Sequence, residues 1–427
     1  MTMLGMSKEE LNKVSLADYV RVYDKDLYKK AEMFHRFIQG IKDHGYYTYR
    51  RPLIGPCEHR ALVDDPITGK QREMVMMGSN NYLGLTNHPK VVEAAAKALS
   101  KYGLGSGGVP LLSGTYALHQ ELEQRLARLK GCEDAVLFTS GYAANMGALT
   151  ALLSEKDVVI NDRLNHASII DGCRLSHAGI EIFAHNNMEN LEAILRSADE
   201  KWDGKLVVVD GVYSMDGDIA PLPKLVELAH QYKAYLMVDE AHGTGVVGPG
   251  GRGSLAHHQV EGQVDLVTIT LSKGLGCVGG AVACTKLIAE YLRFYSRSTF
   301  FSTSLPPAVV AGAIAAVDVL ENEPERVEQL WKNIRYMVKH LKEMGYDTGH
   351  TQSAIIPVLI GDEQKLREMS FEVQEAGIYL SSIPYPAVPR GQARFRLSMM
   401  ATHTPDDMDQ ALDVLRKVGK KYGILKS

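Results

Sequence analysis

Lys273 stands where an amine can do covalent chemistry. It follows Leu266-Val-Thr-Ile-Thr-Leu-Ser272, whose apolar and β-branched residues read as a short buried strand, and it precedes four glycines at 274, 276, 279 and 280. Glycines so dense loosen the backbone and let a flat ligand come close. Alone, such a lysine either forms a Schiff base with a carbonyl compound or ends its strand and points to water. Asp239 and His242, in Val238-Asp-Glu-Ala-His242, add to it. A carboxylate stabilises a protonated pyridine nitrogen, and a histidine three residues on can hydrogen-bond a ring oxygen. With Lys273 they form the minimal kit for pyridoxal phosphate.

Other residues gain or lose meaning by their surroundings. Ser140-Gly-Tyr-Ala-Ala-Asn145 opens a helix directly after a strand, and the N–H groups of a helix start suit a phosphate. Asn165-His-Ala-Ser168 opens another, so the His166 imidazole can lie on an aromatic cofactor or simply begin a helix. Arg394 and Arg396 share a strand face by their period of two, and the guanidinium fork suits a substrate carboxylate as readily as it decorates a surface. Gly103-Leu-Gly-Ser-Gly-Gly108 fits the dinucleotide spacing, but a helix precedes it where a strand is required. The Asp239-Glu-Ala-His242 run also matches a helicase box. That reading fails because no Gly-Lys-Ser or Gly-Lys-Thr occurs anywhere in the chain.

These residues must be positioned by an alternation of short apolar strands and helices. Strands are expected at 135–138, 158–160, 180–183, 206–209, 235–238, 266–270 and 281–283. Helices are expected at 116–130, 142–153, 166–177, 188–197 and 222–233. The pattern predicts an α/β fold with a mainly parallel sheet covered on both faces, whose ligands bind beyond the carboxyl ends of the strands. Residues 1–75 read as an N-terminal arm, with a helix over 25–43 whose apolar side carries Leu27, Ala31, Phe34 and Ile38, and a strand pair turning at Asp64–Gly69. A large domain over 76–305 and a small α+β domain over 306–427 complete the chain. The small domain holds helices at 307–320, 325–344, 364–376 and 405–420, with strands at 355–360 and 394–398. The 427 residues carry 45% hydrophobic and 23% charged residues, enough for a large core, and the net charge of -4 gives no basic field for nucleic acid. Five scattered cysteines without metal spacing predict reduced thiols and no metal site. The start, Met1–Glu10, does not read as a signal peptide, and no uncharged apolar run reaches the length of a membrane span. A cytoplasmic protein is expected.

The blocks Gly78–Leu85, His119–Glu123, Ser140–Tyr142, Asn165–Ser168, Tyr213–Gly217, Asp239–Gly245, Thr270–Lys273, Phe301–Pro307 and Ala393–Arg396 occur in the order seen in the α-oxoamine synthases. The likeness covers roughly residues 45 to 420. This chain resembles that family of fold-type I pyridoxal 5'-phosphate enzymes, which condense an amino acid with an acyl-CoA, release carbon dioxide and CoA, and yield an α-amino ketone. The resemblance implies that Lys273 carries the cofactor, Asp239 meets its ring nitrogen, His166 lies on the ring, and His242 and Ser214 approach the ring oxygen. It places Gly141, Tyr142, Thr270 and Ser272 around the phosphate, with Ser302 and Thr303 reaching in from a second subunit. Asn80 and Arg396 would hold the amino acid. A homodimer sharing its active sites follows from the same likeness.

The choice of substrates rests on smaller features. Ser272, Ala401-Thr-His-Thr404, Asn322–Arg326 and the Gly45–Arg50 arm look like bacterial serine palmitoyltransferases, which favours serine with a long-chain acyl-CoA and a place in sphingolipid synthesis. Ser302–Pro307 and Gly243-Thr-Gly245 are similar to 8-amino-7-oxononanoate synthase, and Tyr385–Arg396 to 2-amino-3-ketobutyrate CoA ligase. Pro384 stands where some serine- and alanine-using members have an arginine, so the amino acid stays open. A transaminase on the same fold would transfer an amino group without releasing CoA. A non-catalytic partner subunit would be expected to lack the lysine that this chain has.

Overall fold

The computed structural model describes residues 5–20, 22–65 and 69–426. Part of the expected Asp64–Gly69 turn, and the first four residues of the Met1–Glu10 start, lie outside these. The chain forms two compact units, one of Met1–Ser79, Lys332–Thr351 and Ile355–Ser427, the other of Asn80–Trp331 and Gln352–Ala354. The arm therefore belongs to the smaller unit together with the C-terminal segment. The larger unit runs on past the expected boundary at 305, because the apolar helix Pro307–Asn322 packs on the helix Pro89–Tyr102.

In the smaller unit the arm helix starts at Lys29, later than its sequence predicts. Asp24 and Asp26 accept hydrogen bonds from the N–H groups two residues on, making turns that compete with a helix. Its buried stripe is Phe37 and Ile41, clustered with Leu11 and Tyr19. The expected stripe is thus displaced: Leu27 is 81% exposed. Strands β1 (Arg60–Asp64) and β2 (Gln71–Met76) then pair antiparallel, as expected.

The larger unit is built on seven strands: β3 (Asp134–Phe138), β4 (Asp157–Asp162), β5 (Gly179–Phe183), β6 (Gly204–Asp210), β7 (Tyr235–Asp239), β8 (Leu266–Thr270) and β9 (Gly280–Cys284). Their order is β3-β9-β8-β7-β6-β4-β5. The pairs from β5 through β8 are parallel, whereas β9 runs antiparallel to both β3 and β8. The reversal is forced by length. Residues 271–279 are too few for a parallel crossover, so the chain turns back on itself. Val159, Val208 and Met237 face a layer that includes Ala144, Leu149 and Ile169, which is why these strands read as continuous apolar runs. Because β4, β6, β7 and β8 are parallel, the polar residues after each of them gather at one edge.

The smaller unit closes with β10 (Ile355–Gly361), β11 (Ile378–Tyr379), β12 (Ser381–Ile383) and β13 (Ala393–Ser398). Strand β13 lies between β10 and β12, antiparallel to both, and β11 adds to β2 in parallel. The final helix, Pro405–Lys421, starts with Thr404 and Asp407 exchanging hydrogen bonds as a capping box. Among the described residues, no helix is long and apolar enough to cross a membrane, and no three metal-ligating side chains cluster.

Candidate active site

One pocket in the larger unit is lined by Gly141, Tyr142, Asn145, His166, Ser168, Asp210, Val212, Asp239, Ala241, His242, Thr270 and Lys273. Strand β7 ends at Asp239 and β8 at Thr270, so the turns after them deliver His242 and Lys273 side by side. Gly274 makes that approach possible: a Cβ there would lie 2.3 Å from the Thr244 carbonyl oxygen. The outcome is a hydrogen bond of 3.0 Å between Lys273 Nζ and His242 Nε2. On its other side His242 Nδ1 lies 2.7 Å from the hydroxyl of Tyr82, which is fully buried.

Asp239 is fixed at both oxygens. The Ala241 N–H donates to one at 2.8 Å and the Asn145 amide to the other at 2.6 Å. That amide also donates to Ser168 Oγ, which lies 2.7 Å from His166 Nδ1. The Ser168 N–H points at the same nitrogen, so Nδ1 accepts and the proton of neutral His166 sits on Nε2. Surrounding protein lowers the pKa of His166, the Asp239 charge opposing and the Lys273 charge assisting. Asp210 ends β6 at the register of Asp239 on β7. Burial first, and then the Asp239 charge, hold its carboxyl well above the usual range.

Beside Thr270, the helix Gly141–Leu152 begins with its first N–H groups outside the helical ladder. Gly141 packs so tightly on β8 that a Cβ would lie 1.9 Å from Thr270 Oγ1. An amine, a carboxylate, an imidazole and a helix start thus meet in one pocket, and this donor set fits pyridoxal phosphate.

Most residues expected from the sequence meet here: Lys273, His242, Asp239, His166, Thr270, Gly141 and Tyr142. Asn80 is beside them, accepting from the Tyr82 hydroxyl at 3.3 Å. Ser214 is buried after β6, and Ser272 is exposed; neither lines the pocket. Ser302 and Thr303 line another cavity of the same unit, with Thr115, His119 and Leu305. Arg396 lies half-buried on β13 of the smaller unit, opposite Ser381, and Arg394 is buried against Gln392. Sequence reasoning assigned no role to Asn145, Ser168, Asp210 or Tyr82. Asn145 carried a signal, one helical turn beyond Gly141, and so did Asp210, as the carboxylate ending β6.

Fold and pocket together define a fold-type I pyridoxal-phosphate enzyme. The chain belongs to the aminotransferase class I and II family, whose model matches residues 72–415, and within it to the α-oxoamine synthases. An 8-amino-7-oxononanoate synthase of Symbiobacterium thermophilum is 43% identical over 91% of this chain and 97% of its own. The 4-hydroxy-2,2'-bipyrrole-5-methanol synthase PigH of Serratia is 42% identical over 96% of this chain, which spans 63% of that longer protein. Among solved structures, serine palmitoyltransferase of Sphingomonas wittichii superposes with a TM-score of 0.89 at 36% identity, over 94% of this chain and all of its own.

Proposed function

We propose that this enzyme makes 8-amino-7-oxononanoate, joining alanine to a seven-carbon acyl thioester that ends in a carboxylate. The similarity to 8-amino-7-oxononanoate synthase, at 43% identity along nearly the whole of both chains, is the observation that carries this reading. The substrates follow from that product's name. Decarboxylative condensation bonds the acyl carbonyl carbon to the amino acid's α-carbon and breaks the bond to its carboxylate. Carbons 8 and 9, the amine and its methyl group, then come from alanine. Carbons 1 to 7 come from the thioester, whose thiol leaves. Serine with a long-chain acyl thioester is the second reading, favoured by the superposition on serine palmitoyltransferase.

Bound pyridoxal phosphate supplies a sink for the electrons released at the α-carbon. The chain supplies the rest. Lys273 attaches the cofactor and, once released, takes the α-proton at Nζ, with His242 Nε2 3.0 Å away to orient it. Asp239, held by Asn145 and the Ala241 N–H, keeps the ring nitrogen protonated. His166 covers the ring with a neutral imidazole and adds no second positive charge. The helix start at Gly141 and Tyr142, with Thr270, grips the phosphate, and His242 meets the ring oxygen. Ser302 and Thr303 complete the phosphate site of the partner in a homodimer. Asn80 holds the amino acid.

The test is a panel of alanine, serine, glycine and threonine against CoA thioesters of graded length, one ending in a carboxylate, with thiol release measured. Fastest turnover with alanine and the carboxylate-ended thioester is expected. Fastest turnover with serine and a sixteen-carbon chain would transfer the assignment to the second reading. Amino transfer without thiol release would end both. Borohydride treatment is expected to fix the cofactor on Lys273, and Lys273→Ala to abolish both label and turnover.

A further inference from the structure

The Tyr82 hydroxyl lies between two acceptors, His242 Nδ1 at 2.7 Å and Asn80 Oδ1 at 3.3 Å. A phenol donates one hydrogen bond and accepts others. When the group at Lys273 Nζ carries a proton, it donates to His242 Nε2 across the 3.0 Å contact. The imidazole proton then sits on Nδ1 and points at the Tyr82 oxygen, while the phenol proton turns to Asn80. When Nζ has given up its proton, the bond reverses. Nε2–H donates to the Nζ lone pair, Nδ1 is bare, and the phenol proton swings from Asn80 to Nδ1. His242 stays neutral in both arrangements and keeps both of its hydrogen bonds, while the Tyr82–Asn80 bond is made only in the first.

From this geometry we infer that Tyr82 is a positioning residue for the reaction: its hydroxyl can accept from Nδ1–H or donate to bare Nδ1, so it keeps a partner for either tautomer of His242 and serves both protonation states of Lys273 without itself carrying a proton away. A phenylalanine would leave one tautomer or the other with a buried Nδ1 lacking this partner. The remaining titratable groups of the pocket face other partners. Tyr142 bonds to Asp171, His166 to Ser168, Asp239 to Asn145 and the Ala241 N–H, and Asp210 to the His166 N–H. The inference rests on reading Lys273 as the cofactor-bearing base.

The experiment uses the full-length, cofactor-loaded enzyme. Tyr82→Phe is expected to lower kcat about tenfold while the KM for the amino acid stays within about twofold. In a His242→Asn background the same change is expected to add no loss, because the ring through which Tyr82 acts is gone. An equal loss in both backgrounds would mark a structural role and overturn the inference; so would a wild-type kcat in Tyr82→Phe. A ring-fluorinated tyrosine at position 82 keeps the size and acidifies the hydroxyl, so it serves even if Tyr82→Phe fails to fold. A stronger donor favours the arrangement with bare Nδ1 and deprotonated Nζ. The visible absorbance midpoint of the bound cofactor is therefore expected to move to lower pH, and an unmoved midpoint would overturn the proposal. Borohydride labelling of Lys273 separates the two levels. A labelled wild type with no Tyr82 effect defeats this inference alone, whereas an unlabelled wild type defeats the functional reading with it.

Discussion

Two carboxyl groups at one register, Asp210 and Asp239, are chemically alike and held differently. Both oxygens of Asp239 receive N–H donors, whereas Asp210 is held above its ordinary pKa by burial and by the Asp239 charge. A raised carboxyl pKa means that the folded chain binds the proton more tightly than the unfolded one. That penalty on stability is absent below the ordinary value near 4 and grows as pH rises above it. Asp210→Asn, which keeps shape and neutral charge, is expected to match the wild type near pH 4 and to gain on it towards pH 8, measured by urea unfolding. In the proposed function Asp239→Asn removes the charge that meets the ring nitrogen, and kcat is expected to fall at least about 100-fold. A kcat loss in Asp210→Asn as large as in Asp239→Asn would contradict this division of roles. The sequence shows both acids at strand ends, and only Asp239 lies in a run that resembles a known site. Their pairing across β6 and β7 depends on register, which no local pattern displays.

The helix start at Gly141 works because no side chain separates it from β8. In Gly141→Ala the new Cβ would overlap Thr270 Oγ1 and drive the helix start off the strand. Cofactor affinity, read by absorbance titration, is expected to fall more than tenfold, with partial recovery in Gly141→Ala/Thr270→Ala, where the nearest atom is gone. No recovery would mean that the glycine is needed for another reason. The strands of the larger unit were legible to within two residues at either end, because a covered parallel sheet writes itself as unbroken apolar runs. Two features were not. The reversal at β9 leaves no mark in residue types, only in the shortness of the link before it. The arm helix shows two apolar stripes, and tertiary contact with Leu11 and Tyr19 decides that Phe37 and Ile41 win.

At the scale of the whole molecule, Ser302 and Thr303 line a cavity other than the Lys273 pocket of their own chain, and the proposed function has them serve a second copy. Mixing subunits tests this. A Ser302→Asp/Thr303→Asp chain, which sets negative charge against the phosphate, and a Lys273→Ala chain are each expected to be inactive alone. Refolded together in equal amounts they are expected to recover about a quarter of wild-type activity, since half the dimers are mixed and each has one complete site. Absence of recovery would place both residues in the service of their own subunit. The β8–β9 turn has a further meaning. The Leu271 N–H donates to Gly279 and the Cys277 N–H to Leu271, while the flanking strands pair from Val267 with Ala283 to Thr270 with Gly280. Lys273 thus rides on a hairpin stapled at its base, and a shift of its main chain would unzip two inner strands of the sheet. Only the four methylenes of its side chain are left to swing, so in the proposed function attachment and proton transfer are worked by a short crane on a fixed footing, whose cargo must do the travelling.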